Sequence, residues 1–246
     1  MKRLRQALGF MTALPVRLPD EYLPGDLGRS AAWFGLVGLL LGGLLLAAWT
    51  GAGFIFPRVV SAVLVLVLWA AFSGGLHLDG WADCCDGLPH ASNPARRLEI
   101  MKDPRLGSFG GAGLILLLLA KFAALSSLTS PSVSGWALLL APVCGRWLLM
   151  LGGFYPAARP GGMGADFQLG FRPWMFALNG LLAFALAIGG GWIGLASLAI
   201  AGLAGWGFNR FAMHQLGGVT GDVMGATVEL VETVVLLVAT ISITGG

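Results

Sequence analysis

Long apolar runs alternate with short charged stretches along this chain, and that block pattern predicts its elements. Apolar segments cover residues 31–51, 59–75, 109–128, 136–154, 174–189, 192–209 and 223–243. Each approaches the roughly 20 residues that an α-helix needs to cross a bilayer. Membrane-spanning strands would read as alternating segments of about 10 residues, a pattern these runs do not follow. Irregular backbone and open sheet edges cannot face hydrocarbon. The pattern therefore predicts an all-α, polytopic transmembrane helical bundle of about seven spans. Only Gly189, Gly190 and Gly191 part the fifth and sixth runs, so two short spans and one long bent helix are both open. Residues 1–246 read as a single integral membrane domain, with 1–30 as an interfacial lead-in and 76–107 as an active-site loop. Residues 1–14 are basic and partly apolar with no small-residue cleavage site, which predicts a retained interfacial helix. Pro15, Pro19 and Pro24 keep the stretch after it non-helical.

Composition supports lipid as the solvent. The chain is 57% hydrophobic and 11% charged, whereas a soluble domain carries about a quarter charged residues. Its 39 glycines lie among Leu, Ala and Val, where small residues let helices approach closely. A stripe such as Gly35, Gly38 and Gly42 leaves packing within one bundle and packing between protomers of a homo-oligomer both open. The formal net charge of +3, without a polybasic tract, gives no sign of nucleic-acid binding. Cys84, Cys85 and Cys144 form no disulfide framework and lack zinc-ligand spacing, so they read as small packing residues.

Charge also predicts orientation. With the N-terminus inside, the cytoplasmic side receives Lys2, Arg3, Arg5, Arg17, Arg29, Arg96, Arg97, Lys102, Arg105, Arg159, Arg172 and Arg210. The other side receives only Arg58, while Lys121 and Arg146 fall within spans. This follows the positive-inside rule, and it also gathers nearly every candidate functional group on one face.

The densest chemical signal is HLDGWADCCDG (77–87), at the end of the second apolar run. Asp79, Asp83 and Asp86 are spaced i, i+4, i+7 and share one face of a continued helix. At an effective dielectric near 20, two carboxylates ~5 Å apart repel by about 3 kcal/mol. Either protons or a cation must relieve that repulsion. Hard oxygen ligands suit Mg²⁺ or Mn²⁺, and Mg²⁺ usually combines one or two carboxylates with substrate phosphates. The bland alternative is a solvated helix end whose acids pair with Arg96, Arg97 or Lys102.

RRLEIMKDPRLGSFG (96–110) then brings Arg96, Arg97, Lys102 and Arg105 close to the acids. Arg can grip phosphate bidentately and Lys acts as a point charge, although the same cations could be positive-inside ballast. Gly107 and Ser108 open the third run, where backbone N–H groups could face an anion. The third cluster, GGVTGDVMGATVELVE (217–232), supplies Thr220, Asp222 and Glu229. Intramembrane carboxylates are costly and read as functional by default; Asp222 and Glu229 are candidate metal ligands, whereas Glu232 could simply pair with Arg146 or Lys121. Asn209, Arg210 and His214 share that side, for substrate or for a helix end. His77, two residues from Asp79, is a candidate general base.

Taken together, FMTALPV (10–16), HLDGWADCCDG, RRLEIMKDPRLGSFG and GGVTGDVMGA (217–226) resemble the adenosylcobinamide-GDP ribazoletransferase family, also called cobalamin synthase or cobalamin-5'-phosphate synthase. The resemblance extends over the whole chain. It implies transfer of α-ribazole, or its 5'-phosphate, onto adenosylcobinamide-GDP with release of GMP, in the last steps of cobalamin biosynthesis. It also implies a Mg²⁺ cofactor and a multi-pass enzyme of the bacterial inner membrane, with its active site facing the cytoplasm. Carried over by position, the functional residues are His77, Asp79, Asp83, Asp86, Lys102, Asp103, Thr220 and Asp222. Joined to the reading of the residues, this gives His77, Lys102 and Asp103 as catalytic. Arg97, Arg105, Thr220 and Arg210 are expected to bind substrate. Asp79, Asp83, Asp86, Asp222 and Glu229 are expected to bind metal. Trp81, Cys84, Cys85 and Pro104 depart from the family's expected residues; Pro104 alters the loop after Asp103 and leaves the charged set intact.

Two other classes remain in view. A CDP-alcohol phosphotransferase also carries an Asp-rich helix, and DCCDG matches its opening. His90-Ala91 then stands where an Ala-Arg pair should follow, and its later paired aspartates are missing. An ion or metabolite transporter is suggested by Glu229 and Glu232, but transporter sites favour the bilayer midplane in broken helices. Most acids here lie at one surface.

Overall fold

The computed structural model describes residues 2–17, 21–89 and 93–241. Expectations touching Met1, Pro19, His90, Ala91 and the last residues of the run 223–243 lie outside these. Helix α1 (Lys2–Met11) buries Gln6, Ala7 and Met11 against the bundle and keeps its basic residues at the rim, as expected of an interfacial helix. The stretch around Pro15 and Pro24 is non-helical. Short α2 (Asp26–Ser30) then runs through a tight 3₁₀ turn into α3 (Phe34–Gly53).

Each of the seven apolar runs is largely helical over its described residues. They become α3, α4 (Arg58–Ser73), α7 (Ser108–Ser127), α8 (Pro131–Leu148), α10 (Pro173–Gly189), α11 (Gly191–Leu216) and α12 (Gly221–Ala239). Between them lie α5 (Leu76–Gly87), α6 (Pro94–Ile100) and α9 (Met163–Gly170). Among the described residues, four helices are long and apolar enough to cross a membrane, or up to six if each of two bent pairs counts as one span. The expected seven exceed that number chiefly because α12 carries Asp222, Glu229 and Glu232. It is the enclosed central helix, buried along almost its whole length from Val223 to Ala239. The open question at Gly189–Gly191 resolves into two helices. Gly191 takes a left-handed turn (φ +61°), and Gly194 lies so close to the Ala187 carbonyl that a Cβ there would stand 2.1 Å from it.

The stripe Gly35, Gly38 and Gly42 is used within the bundle. Gly38 abuts the backbone of Pro142 and Val143, and Gly42 that of Leu138 and Leu139, so α3 packs directly on α8. Apolar side chains such as Val67, Leu116, Leu181 and Leu203 point outward, 60–68% exposed. That is the outward face a lipid-facing bundle requires. Cys84, Cys85 and Cys144 are free; Cys84 and Cys144 are buried in the packing.

One bend positions the site. Gly74 and Gly75 both adopt positive φ (+66° and +70°), which glycine tolerates without steric cost. They turn α5 by 92° from α4, out of the line of the span. Helix α5 therefore lies across the N-terminal ends of α7 and α12 instead of continuing through the apolar layer. The same end of the bundle holds α1, α9 and a core of Met11, Phe34, Met150, Phe167 and Met224.

Candidate active site

Glycines set how closely α5 approaches its neighbours. A Cβ on Gly80 would stand 2.7 Å from the Asp222 carbonyl oxygen, so α5 and α12 touch backbone to backbone. Thr220 caps α12 by accepting from the Val223 N–H (3.2 Å), which fixes the first turn that carries Asp222. A second loop is stitched to this turn, because the Val219 N–H donates to the Pro156 carbonyl (2.8 Å) and the Ala158 N–H to the Val219 carbonyl (3.1 Å). That pairing brings Arg159 to within 3.6 Å of Asp222, and Arg159 also donates to the Leu98 carbonyl (3.0 Å).

Asp79, Asp83 and Asp222 thus gather where α5 crosses α12. Asp83 is half-buried, and its carboxyl is pushed up to about 7, first by burial and then by the charges of Asp222 and Asp79, against the opposing pull of Arg159. A carboxylate held this far above its usual range marks a donor set short of positive charge. Asp79 and Asp222 both line a small cavity of about 60 Å³ together with His77. His77 is 2% exposed, and neither ring nitrogen has a hydrogen-bond partner among the described residues. Burial first, then the charges of Arg146 and Lys121, hold it well below the usual histidine range, so it is neutral.

The structure divides the expected metal set. Both carboxylate oxygens of Asp86 are engaged as a cap on α7, accepting from the N–H groups of Gly107 and Gly110 at 2.8 Å each. The anion at this helix N-terminus is therefore Asp86 itself. Glu229 and Glu232 lie roughly 10 and 15 Å along α12 from Asp222, at ~1.5 Å per residue. There they join Lys121 and Arg146 in a buried cluster. Lys121 Nζ lies 2.6 Å from Glu229 and 2.8 Å from Glu232, and Arg146 pairs with Glu232. Lys121 also stands over the Trp69 ring at 4.7 Å. Two cations balance two anions, so Glu229 is an ion-pair partner and not a companion of the aspartates. Of the five acids expected to bind metal, Asp79, Asp83 and Asp222 are the ones that lie together where α5 crosses α12. Among the described residues, no three His, Cys, Asp or Glu side chains converge closely enough to hold a metal ion alone. An ion held here would complete its shell with substrate oxygens, as Mg²⁺ commonly does.

The expected substrate cations are more dispersed. Asp103 and Arg105 pair with each other at 2.6 Å, and the guanidinium holds the Asp103 carboxyl down at about 2. Lys102 and Arg210 are exposed. Arg97 donates to the Gln215 carbonyl (3.1 Å), tying α6 to the end of α11. None of these five residues lines the cavity of Asp79 and Asp222. Arg159, counted in the sequence only towards orientation, is the cation at the aspartates. Its signal was a lone arginine in the proline- and glycine-rich stretch YPAARPGG (155–162).

Known proteins bear on this arrangement. The family model described as Cobalamin-5-phosphate synthase matches residues 3–240. The chain belongs to this family. Among its relatives, the adenosylcobinamide-GDP ribazoletransferase of Ectopseudomonas mendocina is 44% identical over 244 residues, covering 97% of this chain and 98% of that protein. The one from Desulfitobacterium hafniense is 39% identical, covering 96% of each. The one from Roseiflexus is 38% identical, covering 96% of this chain and 88% of that protein. No solved structure matches. As a cobalamin-5-phosphate synthase family member the chain is a transferase of cobalamin biosynthesis, built as a helical membrane protein.

Proposed function

We propose that this enzyme joins α-ribazole, or its 5'-phosphate, to adenosylcobinamide-GDP and releases GMP, with Mg²⁺ as cofactor. The observation that carries the reading is the meeting of Asp79, Asp83 and Asp222 with Arg159 beside a cavity at one end of the bundle. The positive-inside pattern argues that this end faces the cytoplasm, which in a bacterium makes the enclosing membrane the inner one.

In the proposed step a ribose hydroxyl of the ribazole substrate attacks the phosphorus bonded to the cobinamide arm. A new phosphorus–oxygen bond forms, the diphosphate linkage breaks, and GMP departs with the bonding electron pair. Asp79, Asp83 and Asp222 would hold Mg²⁺, which when bound neutralises charge on the diphosphate oxygens. Arg159 offers a guanidinium to the same oxygens. His77, neutral and without a hydrogen-bond partner among the described residues, takes the hydroxyl proton. The proposed step needs no covalent nucleophile, and Cys84 and Cys85 are bystanders in it.

The test is incubation of the full chain in detergent or liposomes with adenosylcobinamide-GDP and α-ribazole, with and without Mg²⁺. Metal-dependent GMP release matched one-to-one by a corrinoid carrying ribazole supports the proposal. Neither product from folded, lipid-supplied protein would sink it.

A further inference from the structure

A second cavity, about 500 Å³, opens beside the aspartates and is not used by any residue in the proposed step. Its volume falls within the roughly 300–1,000 Å³ of small-molecule pockets. It lies between α1, the segment before α2, and the start of α9. Phe10, Leu27 and Met163 line both this cavity and the smaller one that holds His77, Asp79 and Asp222, so the two adjoin through shared walls. Phe10 opens the FMTALPV segment, the family motif to which the step above gives no part.

Four of the residues in its walls carry polar side chains, Gln6, Glu21, Tyr22 and Asp166, with Glu21 exposed at the rim. The Tyr22 hydroxyl donates to Asp166, which also accepts from the Gly25 N–H at 2.7 Å. Partial burial and the Asp166 carboxylate push the Tyr22 hydroxyl up to about 12, so it stays a neutral donor committed to Asp166. Gln6 donates through Nε2 to Asp26 at 2.8 Å. Its Oε1, on a residue only 6% exposed, has no hydrogen-bond partner among the described residues. The cavity thus pairs a largely apolar wall, including an aromatic face, with one buried acceptor awaiting a donor.

We infer that this cavity is the subsite for the acceptor nucleoside: the benzimidazole base lies against Phe10 and Met163, and a ribose hydroxyl donates to Gln6 Oε1. The inference rests on the proposed reaction and deepens it. Of the three nucleoside groups in that reaction, the adenosyl group is carried by the corrin, and guanine has an exocyclic oxygen and ring nitrogens that need donors. The side-chain donors of Tyr22 and Gln6 are already committed to Asp166 and Asp26, so that oxygen would be desolvated without compensation. A benzimidazole has no exocyclic polar group and only one ring-nitrogen acceptor to desolvate, so it loses less. The corrin ring is far larger than the cavity. With the base against Phe10 and Met163, which the two cavities share, the nucleoside lies beside Asp79 and Asp222, next to where the diphosphate is attacked.

The experiment measures KM for each substrate separately, in wild type, Phe10→Ala and Met163→Ala, by GMP release from the full chain in liposomes. Base–aromatic stacking is worth enough that its loss is expected to raise the KM for α-ribazole about ten-fold or more in Phe10→Ala. Met163→Ala, at a position 44% exposed and tolerant of truncation, is expected to raise it by a smaller factor. The KM for adenosylcobinamide-GDP should rise by a clearly smaller factor in both, because Phe10 and Met163 also border the smaller cavity. Equilibrium dialysis of α-ribazole against each folded variant gives the same comparison without turnover. An unchanged KM and unchanged binding for α-ribazole in both variants, or a rise confined to adenosylcobinamide-GDP, overturns the assignment. Wild-type protein that forms no corrinoid product would instead overturn the reaction itself, so the two failures are distinguishable.

Discussion

Replacing Asp86 separates a structural acid from a metal ligand. Its two oxygens accept from the Gly107 and Gly110 N–H groups at 2.8 Å each, at the positive end of a 20-residue helix. Hydrogen bonds to charged groups are worth roughly 1.5–3 kcal/mol each, and loss of an N-cap side chain typically costs about 0.5–2 kcal/mol. Because Asp86 is only partly buried, the two bonds together should contribute about 2–4 kcal/mol. Asp86→Ala is therefore expected to lower stability by that amount. Asp86→Asn, which keeps one acceptor oxygen, should lose about half. Denaturant unfolding in detergent, followed by circular dichroism, measures both. Residual activity at a temperature where each variant is folded should stay within about ten-fold of wild type. The reasoning fails if both variants unfold like wild type yet lose all turnover, since that is the behaviour of a ligand and not of a cap.

Four further outcomes follow from the same geometry. Asp83→Asn is expected to fold normally and to lose turnover by more than about a hundred-fold. In wild type, a carboxyl near 7 must shed its proton to bind Mg²⁺, so apparent Mg²⁺ affinity should fall about ten-fold per pH unit below 7 and level off above it. Calorimetric titration across pH 5–8 would show this, and a flat profile would contradict it. Glu232→Gln leaves Lys121 and Arg146 buried with one carboxylate, and breaking a buried pair in this way costs about 3–5 kcal/mol. Unfolding measurements should record that loss, and a neutral effect would show the cluster to be dispensable. Gly80→Ala raises helix propensity yet places a methyl 2.7 Å from the Asp222 carbonyl oxygen. It should part α5 from α12 and depress turnover more than stability, whereas full activity would show that the close approach is not needed.

The apolar runs made the helices legible, since a 20-residue hydrophobic block in a chain with so few charges has few other solutions. Helix roles were harder to read. Asp79, Asp83 and Asp86 share a helical spacing, but which of them face α12 and which face α7 depends on the 92° bend at Gly74 and Gly75. Two adjacent glycines in an apolar run do not announce such a bend. Glu229 belongs to Lys121 because α7 and α12 lie side by side, a pairing 108 residues apart in sequence. The alternative offered for Glu232, an ion pair within the bundle, is what forms. Arg159 was passed over because its neighbours are prolines and glycines, and only the pairing of its loop with the turn before α12 brings it to Asp222. The larger cavity was hidden for the same reason: Phe10, Tyr22 and Met163 come from three separate stretches of chain.

The most direct test of the central claim is the Mg²⁺ dependence of GMP release in Asp222→Asn beside wild type, at saturating adenosylcobinamide-GDP and α-ribazole. If Asp222 joins Asp79 and Asp83 around the ion, wild type shows strict Mg²⁺ dependence and the variant needs at least ten-fold more Mg²⁺ for half its own maximal rate. A variant with an unchanged Mg²⁺ requirement and an unchanged rate, or a wild type that releases GMP equally well without the metal, would contradict the account.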